Sequence, residues 1–518
     1  MNLGRFLSRS AKYWPEQAAI IFRDRTFTFQ QLDERSNRLA NALLGLGAQK
    51  GDRVAVQAWN CPQLIEVECA LYKAGLVKVA LNARLSAAET QETIVNAQAR
   101  IVLAGGQHIE VIEALRPQLE AVERFVAIEG EAAGFLGYEA LLERASSTNP
   151  DVEMHASDLA VLHFTSGSTG KLKAAMQTVG NRMASLRKVV MGRMPAQPGD
   201  VLALAGPITH ASGMFIQPFL SQGGTILLHD RFDPDSYLAS LERHRAKAAF
   251  LVPTMINMLV KHPRIGAHDL SSLRYMSYGG APIAPALVRD AWQAIGPVLS
   301  QGYGAGETTG GLVTLSVDDH RLAIEGGQEH LLASCGRPFG ESQVLVVDEH
   351  GRELATGDVG EIVVAGPDVF AGYWREPELT AAALVNGRLH TGDLARADER
   401  GYLYIVDRKK EMIISGGFNV YPTEIEQVLY RHPAIYEACV IGVPDENWGE
   451  AIKAVVVLRD DRKASADELI EHCRGLLADF KKPRSIEFVS ELPKNGNGKM
   501  SRKDVREQYW RGHERRVA

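Results

Sequence analysis

The chain has 518 residues, 45% of them apolar and 23% charged, an ordinary globular composition in a length that calls for two or more domains. A formal net charge of -6 gives no electrostatic reason to expect nucleic acid as the main partner. No apolar run reaches membrane-spanning length, and Arg5, Arg9, Lys12 and Glu16 interrupt the opening segment, so neither an integral membrane protein nor a secretory leader is expected and the cytoplasm is the expected location.

From the N-terminus, Ala19 to Phe22 reads as a strand and Asp24 as a turn. Thr28-Phe29-Gln30-Gln31 reads as a capping box opening a helix whose Leu32, Leu39 and Leu43 share a face. Gly51-Asp52-Arg53 leads into a strand at Val54 to Gln57, and the alternation recurs at Ile101 to Ala104, Val201 to Leu204, Thr225 to Leu228 and Ala248 to Leu251. This predicts an α/β class, with a large N-terminal domain of helix-covered β-sheets. Cys61, Cys69, Cys335, Cys439 and Cys473 are scattered without metal-ligand or disulfide spacing and read as packed small hydrophobes.

Within that region the apolar run Leu159 to Phe164 is followed by Thr165-Ser166-Gly167-Ser168-Thr169-Gly170-Lys171. Glycines let backbone N–H groups converge on an anion, the hydroxyls add donors, and Lys171 adds charge, so the segment suits a polyphosphate. By itself it reads equally as a polar turn between a strand and a helix. It is not a Walker A loop, because its glycines are too close together and Leu172 stands where the magnesium-binding hydroxyl would be. Tyr278-Gly279-Gly280-Ala281-Pro282 is a side-chain-poor turn on which a flat ring can lie, and Gln301 to Glu307 sets one carboxylate beside a glycine-rich bend, where bound phosphates would let it hold Mg²⁺. Thr391-Gly392-Asp393 puts an acid on a turn able to accept a ribose diol.

After about residue 405 the charged cluster Asp407 to Glu411 precedes a run long enough for a small domain. Thr423 and Glu426 read as another capping box, and Cys439 to Val443, Ala454 to Leu458 and Ile486 to Val489 as strands, giving a smaller α+β C-terminal module. Its last stretch carries Lys481, Lys482, Arg484, Lys494, Lys499, Arg502, Lys503 and Arg506, read individually as a solvated face. Asn495-Gly496-Asn497-Gly498 presents Lys499 from a turn.

Taken together, Thr165 to Lys171, Gly279 to Pro282, Tyr303 to Glu307, Gly357 to Glu361, Gly372-Tyr373-Trp374, Thr391 to Asp393, Arg408 and Gly498-Lys499 resemble, in order, the signatures of the adenylate-forming superfamily, in its acyl- and aryl-CoA synthetase branch. The resemblance implies an adenylation domain over residues 1–409 and a mobile lid over 410–518, turning on Lys410. It implies an AMP-forming acid–CoA ligase (EC 6.2.1) that uses ATP, Mg²⁺ and coenzyme A. Thr165 to Lys171 would close over the β- and γ-phosphates, and Glu307 would hold Mg²⁺. Gly280, Ala281 and Pro282 would flank adenine, with Gly302, Tyr303, Gly304 and Thr308 also at the nucleotide. Asp393 and Arg408 would grip the ribose, and Lys499 would bridge carboxylate and α-phosphate. Ser415, Gly416, Gly417 and Phe418 would line the pantetheine path.

Five positions depart from the family pattern. Ser168 keeps the hydroxyl of a usual Thr, while Leu172 and Ala174 replace a common Pro and Gly and predict a less rigid or differently bent loop. Gly306 replaces a Thr expected to touch phosphate, with Thr308 or Thr309 as candidate substitutes, and Asn495 replaces a Thr near Lys499. No charged participant is lost, so an active enzyme is expected.

The acid pocket implied by the resemblance follows His210 and includes Met214, Tyr278, Gly279, Gly302 and Gly304. His210 reads as a gate for carboxylate or ATP, or as a structural histidine. Ala211 to Gln217 contains no Asp, Arg or Lys, which weakens an amino acid or a diacid and favours a medium- or long-chain fatty acid or a hydroxycinnamate-like aryl acid. The alternatives are transfer to a carrier protein's phosphopantetheine and a non-catalytic nucleotide sensor, the latter disfavoured by Lys499, Glu307 and Asp393. A small carboxylic acid and CoA are the expected partners; monomer and homodimer both stay open.

Overall fold

The computed structural model describes residues 2–130, 132–166, 172–415, 418–445, 448–459, 462–494 and 500–511. Its contacts divide the chain into a large unit, Met1–Val344 with Val364–Leu389, and a smaller one, Leu345–Val363 with His390–Ala518.

In the large unit, the short apolar runs become strands at Ala18–Phe22, Arg53–Gln57, Ile101–Ala104, Val201–Leu204, Thr225–Leu228 and Ala248–Leu251, as read from the sequence to within a residue. The capping box forms. Thr28 Oγ1 accepts the Gln31 N–H at 3.2 Å and Gln31 Oε1 accepts the Thr28 N–H at 2.9 Å, starting helix Phe29–Gly45. Its Leu32, Leu39 and Leu43 are buried.

A nine-stranded sheet runs in the order Arg337–Pro338, Gly310–Leu315, Leu299–Ala305, Tyr275–Gly279, Ala248–Leu251, Val201–Leu204, Thr225–Leu228, Ala18–Phe22, Arg25–Thr28. Its interior pairs are parallel and its two edges antiparallel. A seven-stranded sheet, parallel through Arg53–Gln57 and Val77–Ala80, ends in the antiparallel pair Leu159–Ser166 and Leu172–Thr178. One apolar cluster, including Ile20, Leu39, Ile65, Val56, Leu202 and Phe219, draws on both sheets and the helices packed with them. Helix Pro62–Ala74 is buried on every side except at Gln63, the pattern of a core helix.

The segment after Thr165 does not lead into a helix, as its reading as a plain turn assumed. The chain returns as strand Leu172–Thr178, with Ser166 opposite Leu172 and Phe164 opposite Ala174; the helix begins only at Val179. Leu172 and Ala174 are therefore strand residues, where neither a Pro nor a Gly is needed.

In the smaller unit, Arg388–Ala397 and Leu403–Arg408 pair antiparallel with Asp393 opposite Arg408. A second sheet orders Phe418–Val420, Ile413–Ser415, Gly449–Leu458 and Ile435–Asp445, with Ser485–Phe488 parallel to Gly449–Leu458, over a core including Val420, Ile425, Val440, Ile452 and Leu469. Two expectations need correction. Thr423 and Glu426 form no capping box, because helix Pro422–Leu429 is preceded by Tyr421 without a side-chain cap. Glu426 is instead buried, accepting Arg502 at 2.8 Å and the Val440 N–H at 2.7 Å. Arg502 is correspondingly no solvated residue; its side chain is 10% exposed, with the guanidinium among Asp407, Glu411 and Glu426.

Candidate functional site

Antiparallel register explains which side chains meet. Directly opposed residues point to the same face, and every second residue repeats it. The pairs Val161–Gln177, His163–Ala175 and Thr165–Lys173 thus share one face of the Leu159–Ser166/Leu172–Thr178 ribbon. Residues 371–374 extend that ribbon. Ala371 N–H donates to Met176 O at 2.9 Å, Trp374 N–H donates to Ala174 O at 2.8 Å, and Tyr373 bridges to Ala175, on the same face again.

Onto this face comes the turn Gly306–Thr308, which follows strand Leu299–Ala305. Gln177 Nε2 donates to Gly306 O at 2.9 Å, Phe370 N–H donates to Glu307 O at 2.8 Å, and the Tyr373 hydroxyl donates to Glu307 Oε1 at 2.9 Å. Burial, and then the Glu307 carboxylate, raise the Tyr373 phenol well above its ordinary range, so it stays a donor. Lys173 Nζ stands 5.5 Å from the centroid of the Tyr373 ring. Lys173 was missed in the sequence. Only the strand pairing, which sets it opposite Thr165, brings it to the Tyr373 ring.

Gly306 is where the structure has most to say about a departure. A Cβ there would lie 2.6 Å from His163 Cδ2 and 3.1 Å from Thr165 Cγ2, so His163 occupies the space a threonine would need. Thr308 does not supply the missing hydroxyl, since its Oγ1 donates within the turn to Gly310 O at 2.8 Å and accepts the Ala305 N–H at 2.9 Å. Thr309 Oγ1 is likewise spent on Asp368 O, 2.8 Å away. The His163 ring is 5.6 Å from that of His210, whose Nδ1 is 3.0 Å from Thr209 Oγ1. Burial first, then His210, Arg182 and Lys78, hold His163 down at about 3, so it is a neutral imidazole near pH 7.

His210, Gly280–Pro282 and Gly306–Glu307 follow the carboxyl ends of strands in the nine-stranded sheet, and Gly302 to Ala305 form the carboxyl end of strand Leu299–Ala305, the edge where open α/β sheets bind ligands. Gly279 and Gly302 are directly paired, and a Cβ on Gly279 would run into the Gly302 carbonyl. Tyr278 does not offer its side chain to a pocket. It is 1% exposed, and its hydroxyl donates at 2.8 Å to His320 Nε2, the acceptor nitrogen because Nδ1 donates to Ser316 O.

Met214 lies in the helical turn Ala211–Phe215, and its methyl would sit 3.0 Å from a Cβ on Gly310. A cation does reach this wall, although none stands in Ala211 to Gln217. Arg182, from helix Val179–Lys188, places Nη1 2.9 Å from Met214 Sδ. No local motif marks it in the sequence.

In the smaller unit, Arg408 Nε is 3.1 Å from Asp393 Oδ1, and Thr391 Oγ1 accepts the Asp393 N–H at 3.1 Å. Glu361 braces the turn by accepting the Gly392 N–H at 3.0 Å and pairing with His390 and Lys409. Lys410 lies in the short turn Lys409–Glu411, Ser415 is buried opposite Phe418, and Phe418 is exposed and stacked on Phe480 at 4.8 Å. Gly167, Ser168, Thr169, Gly170, Lys171, Gly416, Gly417, Asn495 and Lys499 lie outside the described residues. All five cysteines are buried thiols, and among the described residues no helix is long and apolar enough to cross a membrane.

Residues 7–374 match the AMP-binding enzyme family and residues 424–499 the AMP-binding enzyme C-terminal domain. A feruloyl-CoA synthase from Amycolatopsis sp is 38% identical over 98% of this chain and 99% of its own length. The medium/long-chain-fatty-acid–CoA ligase FadD8 of Mycobacterium tuberculosis is 33% identical over 99% and 91%. The crystal structure of ATP-bound MatB from Rhodopseudomonas palustris, 32% identical, is similar with a TM-score of 0.88 over 98% of this chain and 99% of that one.

Proposed function

The chain belongs to the AMP-binding enzyme family, and from that premise we propose that residues 1–409 bind ATP and acid, that 410–518 carry Lys499 and the coenzyme A side, and that Lys410 is the hinge. The enzyme is an AMP-forming acid–CoA ligase, with ATP, Mg²⁺ and coenzyme A as its requirements. The acid we assign is an apolar one, an aryl acid or a medium- or long-chain fatty acid, and the compartment is the cytoplasm.

In the first half-reaction a carboxylate oxygen bonds to the α-phosphorus as the bond to pyrophosphate breaks. In the second, a thiol sulfur bonds to the acyl carbon and AMP departs with the electrons of the carbon–oxygen bond, while the thiol proton passes to solvent. Both steps need placement and charge neutralisation more than covalent help. Thr165 and the loop after it would hold the β- and γ-phosphates, with Lys173 adding a cation. Glu307 offers a hard oxygen to Mg²⁺, which when bound neutralises phosphate charge. A single carboxylate fits such an ion, since Mg²⁺ is held by one or two carboxylates with phosphate oxygens and waters completing its shell. Asp393, held by Arg408, would take the ribose hydroxyls, Gly280 to Pro282 the adenine, and Lys499 the carboxylate and α-phosphate together. Ser415 to Phe418 would flank pantetheine. His210, facing neutral His163, would border the carboxylate.

The observation that supports this reading is the shared face of Thr165, Lys173 and Tyr373 against Glu307. ATP–pyrophosphate exchange over a panel of acids, followed by thioester formation with coenzyme A, tests it. Exchange and a CoA thioester with an apolar acid are expected, and Glu307→Gln should slow exchange by about two orders of magnitude, the scale of one lost charge stabiliser. No exchange with any acid would overturn the reading.

A further inference from the structure

Helix Pro62–Ala74 carries three charged residues into the core, and each is balanced by a partner. Glu66 receives Arg35 through two hydrogen bonds of 2.7 and 3.1 Å, and Lys73 donates to Asp33 at 2.5 Å and Asn37 at 2.6 Å. The third, Glu68, is paired with Lys78 and receives the Tyr72 hydroxyl at 3.3 Å. Arg182 is then a second cation on a carboxylate already matched, at 3.6 Å from Glu68 Oε1. Its side chain is only 10% exposed. Of its five guanidinium N–H groups, one has the Tyr72 hydroxyl as a neighbour, while the atom set against Nη1 is a thioether sulfur, a weak acceptor.

Met214 is the link to the acid pocket, because it touches Arg182 on one side and Gly310, just past Glu307, on the other. Around it, Tyr72, Arg182, Ser185 and Gln217 line a partly open space of about 10 Å³, close to the room one water-sized oxygen needs. An unbranched, three-torsion side chain such as Met can yield to an incoming group.

We propose that Arg182 determines specificity by donating to an oxygen on the end of the acid remote from its reacting carboxylate, with Met214 standing in that place until the acid binds. This rests on the ligase reading and revises its acid, from a wholly apolar one to one with an oxygen acceptor at the far end. A ring hydroxyl and a second carboxylate both offer that acceptor. Straight-chain fatty acids do not.

The test compares cinnamic, 4-hydroxycinnamic and 4-carboxycinnamic acids by kcat/KM in pyrophosphate exchange. Wild type should favour at least one oxygen-bearing acid over cinnamic acid by roughly 10- to 100-fold, the scale of a hydrogen bond to a charged group; which one tells a phenol from a carboxylate. Arg182→Met should erase that ratio and Arg182→Lys should retain part of it. Should Arg182→Met not fold, Arg182→Lys keeps a cation beside Glu68 and should show the partial loss of the ratio, and a wild-type ratio near one counts against the proposal without any variant. A wild-type ratio near one, or a ratio unchanged without Arg182, overturns the proposal while leaving the ligase reading intact. Silence with every acid counts against the ligase reading instead.

Discussion

A single missing methyl group at residue 306 settles where an imidazole can stand. The His163 ring fills the space beside the Gly306 backbone, so any side chain there meets His163 Cδ2 at 2.6 Å, closer than carbon contacts allow, and Thr165 Cγ2 at 3.1 Å, a tight contact. Gly306→Thr should therefore push His163 out of place, disturb Thr165, and cost about 1–3 kcal/mol of stability as overpacking does. Pyrophosphate exchange should fall with it, by an order of magnitude or more. Shortening His163 should make room, so Gly306→Thr with His163→Ala is expected to recover most of the stability, read by urea unfolding. An equal loss in the double variant would show that Gly306 is needed for something other than space. That residue 306 is unusual was legible in the sequence, because a resemblance exposes departures. Its reason was not, because His163 lies in a different strand and the two meet only through pairing between distant segments. Lys173 and Arg182 were illegible on the same grounds, each being defined by what it faces and neither by its neighbours in the chain.

Helices and strands differ in how openly the sequence announces them. The parallel strands of the large unit are buried on both faces and read as continuous apolar runs, which is why Ile101–Ala104 and Thr225–Leu228 emerge at the residues expected. The hairpin after Leu159 is less open, because Leu172–Thr178 mixes Lys, Ala and Gln and earns its strand conformation from Leu159–Ser166 beside it. Glu426 shows the opposite failure, a correct local pattern for a cap overridden by Arg502. Helix Pro62–Ala74 combines these lessons, being buried all round yet bearing Glu66, Glu68 and Lys73. Such pairs stabilise little relative to an apolar core, but breaking one strands its partner. Lys73→Met, which leaves Asp33 with 16% side-chain exposure and no ammonium, should destabilise the large unit by about 3 kcal/mol, the lower end for a broken buried pair. Adding Asp33→Asn should return much of that loss in a urea-unfolding cycle. Additive losses would mean that Lys73 acts through packing of its stem alone.

Across the whole large unit, three imidazoles are held neutral by burial, His163 at about 3 and His229 and His320 at about 4. An unfolded chain binds a proton at each near pH 6.5. With the folded values below the unfolded ones, the native state takes up fewer protons, so stability is complete above pH 6.5 and declines as the pH falls toward 4. Each such group contributes a slope of up to about 1.4 kcal/mol per pH unit within its window. The ordinary carboxylate range lies lower, at about 4, and the buried carboxyls pushed upward, Asp407 and Glu426, belong to the smaller unit, so in the large unit the range from pH 6.5 to 5 reports on the histidines. Urea midpoints should fall steadily across it with an unchanged slope of unfolding, a loss of stability without a change in the surface exposed. His320→Gln removes one titrating ring while keeping a donor toward Ser316 O and an acceptor for the Tyr278 hydroxyl. It should flatten the decline by about one group's share, whatever it does to stability at pH 7. A midpoint constant between pH 6.5 and 5 in the wild type would mean that these rings protonate in place, and that the core around them opens to water more readily than its packing implies.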